Sequence, residues 1–272
     1  METPGKEAIE MRAVSLLYHD VVGDGDWDSS GFSMPGASKY KLERGEFERH
    51  ISVIATQHRK PIIVTELLHR ANLKLLPFLL TFDDGGISAY TVVGEMFARL
   101  GWVGHFFLTT SRIGTRGFLE KSQIRALKDL GHCIGSHSVS HPEKMSSCTR
   151  HQLLDEWKRS TSTLSDILGC SIDTASVPGG FYSRGVAETA EETGIRVLFT
   201  SEPVTTVREV GACLIIGRYT IVRGMDPSVS ANLVSSSSVA RIKQSLQWNT
   251  KKVAKILGGQ LYSRARKLIL KT

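Results

Sequence analysis

The sequence predicts an α/β fold, a distorted and incomplete (β/α) barrel of seven or eight strands. Three observations predict it. Short apolar runs alternate with stretches of helical spacing through the middle of the 272-residue chain. The helical stretches stop at glycines. The polar clusters able to carry chemistry fall directly after apolar runs. Strands separated by helices of this length pair in parallel through βαβ units, and their number favours a closed or nearly closed barrel over an open sheet.

In chain order, residues 12–18 are a short apolar run and predict the first strand. Residues 22–40 are rich in Gly, Asp and Ser, hold Trp27, Phe32 and Pro35, and predict a long loop over one end of the barrel. Residues 73–82 predict a second strand, broken by Pro77; residues 89–100 have helical spacing and end at Gly101. A strand is predicted at 103–108, a helix at 121–130 before Gly131, and a strand at 133–137. Residues 149–168 form a long amphipathic stretch ended by Gly169, followed by a strand at 172–177 and a helix at 184–193 before Gly194. Strands at 197–200 and 213–216 complete the series. Glycine suits these stops because a helix commonly ends on a left-handed residue, which glycine adopts without a Cβ penalty.

Residues 235–238 are four serines and suggest a linker. Beyond them Leu246, Trp248, Val253, Ile256, Leu257, Leu261, Leu268 and Leu270 lie among basic residues, a composition that fits an amphipathic helix interrupted at Gly258-Gly259. The expected organisation is a catalytic domain over residues 1–234 and a linker with a basic amphipathic tail over 235–272.

Composition narrows the function classes. Hydrophobic residues are 41% and charged residues 22%, as in an ordinary globular protein. No apolar run is long enough to span a bilayer. Residues 1–11 carry Glu2, Lys6, Glu7 and Glu10 and show no secretory h-region, so the expected location is cytoplasmic. Cys133, Cys148, Cys170 and Cys213 show no CxxC spacing and read as reduced thiols. The formal net charge is +7, yet residues 241–272 hold nine Lys/Arg and no acid, which leaves −2 on the first 240 residues. A basic tail suits an anionic membrane surface. It lacks any nucleic-acid reader motif, and no specific nucleic acid is expected.

Two clusters carry the chemistry. Thr81-Phe82-Asp83-Asp84-Gly85 follows an apolar run. Adjacent carboxylates resist joint ionisation unless a cation or hydrogen bonds compensate. At a strand end one can turn to a metal while the other stays free as a base. His137-Ser138-Val139-Ser140-His141-Pro142 also follows a predicted strand. Histidines at i and i+4 share a face and can meet one ion. Two histidines and one carboxylate leave positions open for water and substrate, the pattern of a catalytic metal site.

TFDDG and HSVSH together resemble the first two motifs of the polysaccharide deacetylases, the NodB-homology domain of carbohydrate esterase family 4, across roughly residues 12–225. The resemblance implies that fold, with Asp84, His137 and His141 as ligands of a divalent metal, zinc first with cobalt or nickel as alternatives. It implies Asp83 as general base and an N-acetylated glycan as substrate. The third family motif, Arg-x-Pro-Tyr-Gly, stands here as Ser176-Val177-Pro178-Gly179-Gly180. Ser176 replaces the Arg that orients the base. Pro178, Gly179 and Gly180 keep the frame, and a Gly179 N–H can still face an oxyanion because the donor is main chain.

The family's Leu-x-His near the C-terminus is missing from Leu214-Ile215-Ile216-Gly217-Arg218, whereas Leu17-Tyr18-His19 has that form near the N-terminus. This resembles a circularly permuted branch that includes poly-N-acetylglucosamine deacetylases of biofilm systems. It implies His19 as general acid, with Asp20, Glu202 or Asp226 as its orienting carboxylate. The implied activity is metal-assisted deacetylation of N-acetylglucosamine-type glycans in exopolysaccharide biosynthesis, polymeric or lipid-linked. Alternatives are hydrolysis of another non-peptide C–N bond and a degenerate glycan-binding homologue, the latter supported by Ser176.

Overall fold

The computed structural model describes residues 11–33, 36–69 and 75–250. Its centre is a nine-stranded sheet. The strands are β1 (Val14–Tyr18), β4 (Phe78–Phe82), β5 (His105–Leu108), β6 (Cys133–Ser136), β7 (Thr174–Ser176), β8 (Val197–Phe199), β9 (Arg208–Val210), β10 (Cys213–Ile216) and β11 (Tyr219–Thr220). Their order is β11-β1-β4-β5-β6-β7-β8-β10-β9. All pairings are parallel except β9 with β10. A separate parallel pair, β2 (Val21–Val22) and β3 (Leu42–Glu43), brackets the long loop.

The sheet is curled into a half-barrel. The edge strands β11 and β9 are not paired with each other. An antiparallel bridge between Arg12 and Thr206, with Ala13 N–H donating to the Thr205 carbonyl at 2.9 Å, ties the start of β1 to the segment before β9. The count of nine exceeds the expected seven or eight because β9 and β11 are too short to show a period in the sequence.

Alternation sorts each strand's side chains. Phe78, Leu80 and Phe82 face outward to the helices, with Val14, Leu16 and Tyr18 beside them, in one large core. Leu79, Phe107, Val197, Phe199 and Ile216 fill the interior of the curl.

The outer helices are α1 (Arg44–Ala55), α2 (Val64–His69), α3 (Glu95–Leu100), α4 (Lys121–Asp129), α5 (Arg150–Leu168), α6 (Arg184–Glu192) and α7 (Pro227–Val234). Helix α5 starts on a Thr149–Gln152 capping box and ends on left-handed Gly169.

Some expectations change. The stretch 89–100 is a π-helical turn, Ala89–Gly94, leading into α3. The strand expected over 73–82 begins at Phe78, and residues 70–74 lie outside the described residues. Helix α1 was not anticipated. Its buried Phe47, Ile51 and Ile54 follow helical spacing, but the stripe includes His50, which bonds to the Ser230 hydroxyl and the Met225 carbonyl. Residues 235–238 form a turn whose Ser238 carbonyl accepts from Ile242 N–H. A further helix, α8 (239–250), runs to the end of the described residues; the tail expected beyond it lies outside them.

Candidate metal centre and catalytic site

Interior alternation brings the chemistry together. Leu79, Thr81 and Asp83 point inward from β4 and its end, and His137 does so just after β6. Ser176 ends β7, and Arg218 continues the inward positions of Leu214 and Ile216 past β10. His19 holds the equivalent place after β1.

Asp84 escapes this alternation by a backbone inversion. Its φ is +76°, and Ser138 (+65°) and His141 (+56°) share the left-handed region. Such backbone costs of order 1–3 kcal/mol per non-glycine residue and persists only where the surroundings enforce it. They do so here. Thr109 N–H donates to the Asp84 carbonyl at 3.2 Å and Thr110 N–H to the Ser138 carbonyl at 3.1 Å. The Glu156 carboxylate on α5 accepts from the N–H groups of Val139 (2.7 Å) and Ser140 (2.9 Å), and Ser138 Oγ accepts from His141 N–H (3.1 Å).

The result is a compact cluster. Asp84 Oδ1 lies 3.5 Å from His137 Nε2 and 3.6 Å from His141 Nε2. One donor atom from each of Asp84, His137 and His141 lies within 4.8 Å of the others. Tetrahedral bonds of about 2.0–2.1 Å place ligand atoms about 3.3–3.4 Å apart, so the set fits one divalent ion with little movement. Protonation agrees. Burial, then the neighbouring His137, pushes the His141 imidazole down to about 4, so it is neutral and has a free lone pair at pH 7. Burial pushes the Asp84 carboxyl up, but its contact with His137 and the neighbouring His19 and His141 hold it well below the usual carboxylate range.

Asp83 is the other half of the site. It is 4% exposed and gripped by a guanidinium that the sequence reading did not assign. Arg218 is fully buried and bonds Asp83 twice, Nη1 to Oδ1 at 2.7 Å and Nη2 to Oδ2 at 2.8 Å. Its Nε donates to the Thr200 carbonyl at 3.0 Å, and its guanidinium carbon lies 5.8 Å from the Phe107 ring and 6.0 Å from the Phe199 ring. Burial raises the Asp83 carboxyl, but Arg218 and then His137 outweigh it, so the group stays ionised at neutral pH. Ser176 also finds its place. Its Oγ donates to Asp83 Oδ1 at 3.1 Å and lies 2.6 Å from His137 Nδ1. That pattern assigns the His137 proton to Nδ1 and leaves Nε2 to face Asp84. The parity of 214, 216 and 218 along β10 was the signal that could have found Arg218.

The remaining expected residues divide. His19 stands beside the cluster with Tyr40 against its ring at 5.0 Å. Burial lowers its pKa, and the nearby charges of Asp84 and Asp83 only partly offset this. Its buried Nδ1 has no hydrogen-bond partner among the described residues, so none of the three carboxylates expected to orient it does so. Asp20 instead accepts from Ser30 and Ser88 and anchors the long loop, Glu202 pairs with Arg208, and Asp226 caps α7. Pro178 is buried and opens a 3-10 turn in which Gly179 (φ +61°) and Gly180 (φ +68°) are both left-handed. Gly180 N–H closes that turn on the Val177 carbonyl at 3.3 Å. The loop lies over this end of the barrel as expected: Phe32 packs at 5.0 Å from the His141 ring.

A curled parallel sheet with such a cluster at the carboxyl ends of its strands has its candidate site where barrel enzymes carry theirs. Residues 76–198 match the family model described as Polysaccharide deacetylase. The chain is 24% identical over 200 residues to "Putative polysaccharide deacetylase YxkH" of Bacillus subtilis (strain 168), covering 72% of this chain and 67% of that protein. It is 28% identical over 141 residues to the peptidoglycan-N-acetylmuramic acid deacetylase PdaA of the same organism, 50% of this chain and about half (51%) of that relative's length. The Streptococcus pyogenes deacetylase PplD, solved in complex with acetate, shares the fold. It superposes with a TM-score of 0.69 at 17% identity, over 83% of this chain and 99% of that one.

Proposed function

We propose that this domain hydrolyses the acetamide of an N-acetylhexosamine-type glycan and releases acetate. The observation that carries the reading is Asp83: a buried carboxylate held ionised by Arg218, 3.9 Å from a histidine of the three-donor cluster. The relatives support the substrate class, since PdaA is named for N-acetylmuramic acid and PplD was solved with acetate.

Asp84, His137 and His141 would hold a divalent cation, zinc by donor type with cobalt or nickel as alternatives, which would supply Lewis acidity at the acetyl carbonyl. Asp83 takes the proton of the attacking water, its lone pairs aimed by Arg218 and Ser176. The Gly179 N–H, set by the left-handed turn, faces the developing oxyanion. His19 returns a proton to the departing amine. A non-catalytic glycan-binding role drew its support from Ser176, and Arg218 removes that support by supplying the guanidinium.

The test is metal analysis paired with acetate release from N-acetylglucosamine oligomers, on the wild type and Asp83→Asn. The variant should keep its metal and lose about 10³-fold in kcat. Full activity in that variant removes Asp83 as base. A metal-loaded wild type that releases acetate from no oligomer favours the other C–N bond class.

A further inference from the structure

Helix α8 has two unlike faces. One is docked on the barrel. Arg241 is 8% exposed and its Nη1 donates to the carbonyls of Leu233 (2.6 Å) and Ser235 (2.8 Å), so it satisfies the open C-terminal end of α7. Gln244 donates to the Thr220 carbonyl at 2.8 Å, Ser245 to the Pro203 carbonyl, and the Trp248 ring lies 3.9 Å from where a Cβ on Gly180 would stand. These positions follow helical spacing and fix the helix in orientation.

The opposite face is apolar and uncovered. Val239 is 71% exposed, Ile242 54% and Leu246 61%. They stand at i, i+3 and i+7, one stripe, and they are three of the seven exposed large apolar side chains among the described residues. Val239 also lines a groove with Met225, Val229, Ala240 and Lys243, on the flank of the helix beside the stripe. A soluble surface does not gain from such a stripe.

Charge says what covers it. Residues 241–272 hold nine Lys/Arg and no acid, while residues 1–240 carry a formal −2. Arg241 is spent on α7 and is not free for a partner. Lys243 and the seven basic residues of 251–272 remain. We infer that α8 is a membrane-contact helix that seats Val239, Ile242 and Leu246 in the headgroup boundary of an anionic bilayer. An exposed apolar stripe with basic residues and no acids is the pattern of an interfacial helix, in which burial and attraction to anionic lipid add. Because Trp248 lies alongside Gly180, the bilayer then lies on the side of the helix away from the 178–180 turn. The inference concerns where the domain sits and stands independently of the reaction it performs.

The test is co-sedimentation of the full chain with vesicles of phosphatidylcholine containing about 30 mol% phosphatidylglycerol, against phosphatidylcholine alone. Wild type should bind the anionic vesicles about tenfold or more tightly than the neutral ones, and less at high salt. The variant Val239→Ser/Ile242→Ser/Leu246→Ser should lose about tenfold in vesicle affinity. Its melting temperature and metal content should match wild type, since all three side chains face solvent. Equal binding by wild type and variant overturns the inference. So does a wild type that ignores vesicles but dimerises through the stripe, or that binds only a polyanion such as RNA.

Discussion

Two halves of the barrel mouth perform different tasks and were built differently. The β4 and β6 ends supply Asp84, His137 and His141 from two short segments, and each segment needs a left-handed non-glycine backbone to aim its donors. The β7 and β10 ends supply Ser176 and Arg218, which reach Asp83 by ordinary strand alternation with no backbone inversion at either residue. Metal ligands must converge on one point, so their local motif is rigid. A guanidinium that orients a carboxylate needs only to arrive, and any inward position within reach can send it. Ser176 and Arg218 therefore share the grip on Asp83 from two different strands.

The comparison can be broken at its rigid half first. His141→Ala should abolish metal retention, read by elemental analysis after dialysis, and take acetate release to background. Retention of a full equivalent of metal would show that the three donors are not the site.

The exchangeable half comes next. Arg218→Met leaves Asp83 buried beside no cation, which costs about 3–5 kcal/mol of stability and on the order of 10²-fold in kcat. Arg218 holds the Asp83 pKa below its unfolded value, so this stability exists above the unfolded pKa and is lost as pH falls through the folded one. The variant's melting temperature should therefore fall less with acid than that of wild type. The acid limb of its kcat/KM profile should move to higher pH. Adding Ser176→Arg to Arg218→Met should recover about tenfold in kcat, given the 3.1 Å approach of Ser176 Oγ to Asp83. No recovery would mean that the strand of origin matters.

His19 gives a pH prediction. Burial lowers its pKa, and an acid must be protonated to act. The alkaline limb of kcat should fall below the pH of an ordinary histidine and should vanish in His19→Ala. A limb well above pH 7 that survives the substitution removes His19 from the mechanism. The smallest effect is expected at Glu156, which braces the 138–141 loop without touching the cluster. Glu156→Gln should weaken metal affinity about tenfold in competition with a chelator.

The long loop and α8 mark where local reading reached and where it stopped. Gly, Asp and Ser over 22–40 announced a loop, yet its anchor is Asp20, a residue offered as a partner for His19. Burial raises the Asp20 carboxyl to about 7, and it is tied to Ser30 and Ser88 instead. Helix α1 escaped notice because His50 interrupts its apolar stripe, and only the distant Ser230 and Met225 satisfy that imidazole.

The sequence by itself determined the strand-end carboxylates, the histidine pair and the basic C-terminal segment, because each is a local pattern whose chemistry is readable within a few residues. Only the tertiary structure decided which charge faces Asp83. Arg218 lies 135 residues away, and its parity with Leu214 and Ile216 says only that it points inward, not which charge it meets. Its burial and its two bonds to the carboxylate exist only once the sheet has curled to bring the end of β10 toward β4. The proposed metal ligands were legible because each lies in a short motif directly after a strand. Asp83, the proposed base, was legible, but the guanidinium that keeps it ionised was not.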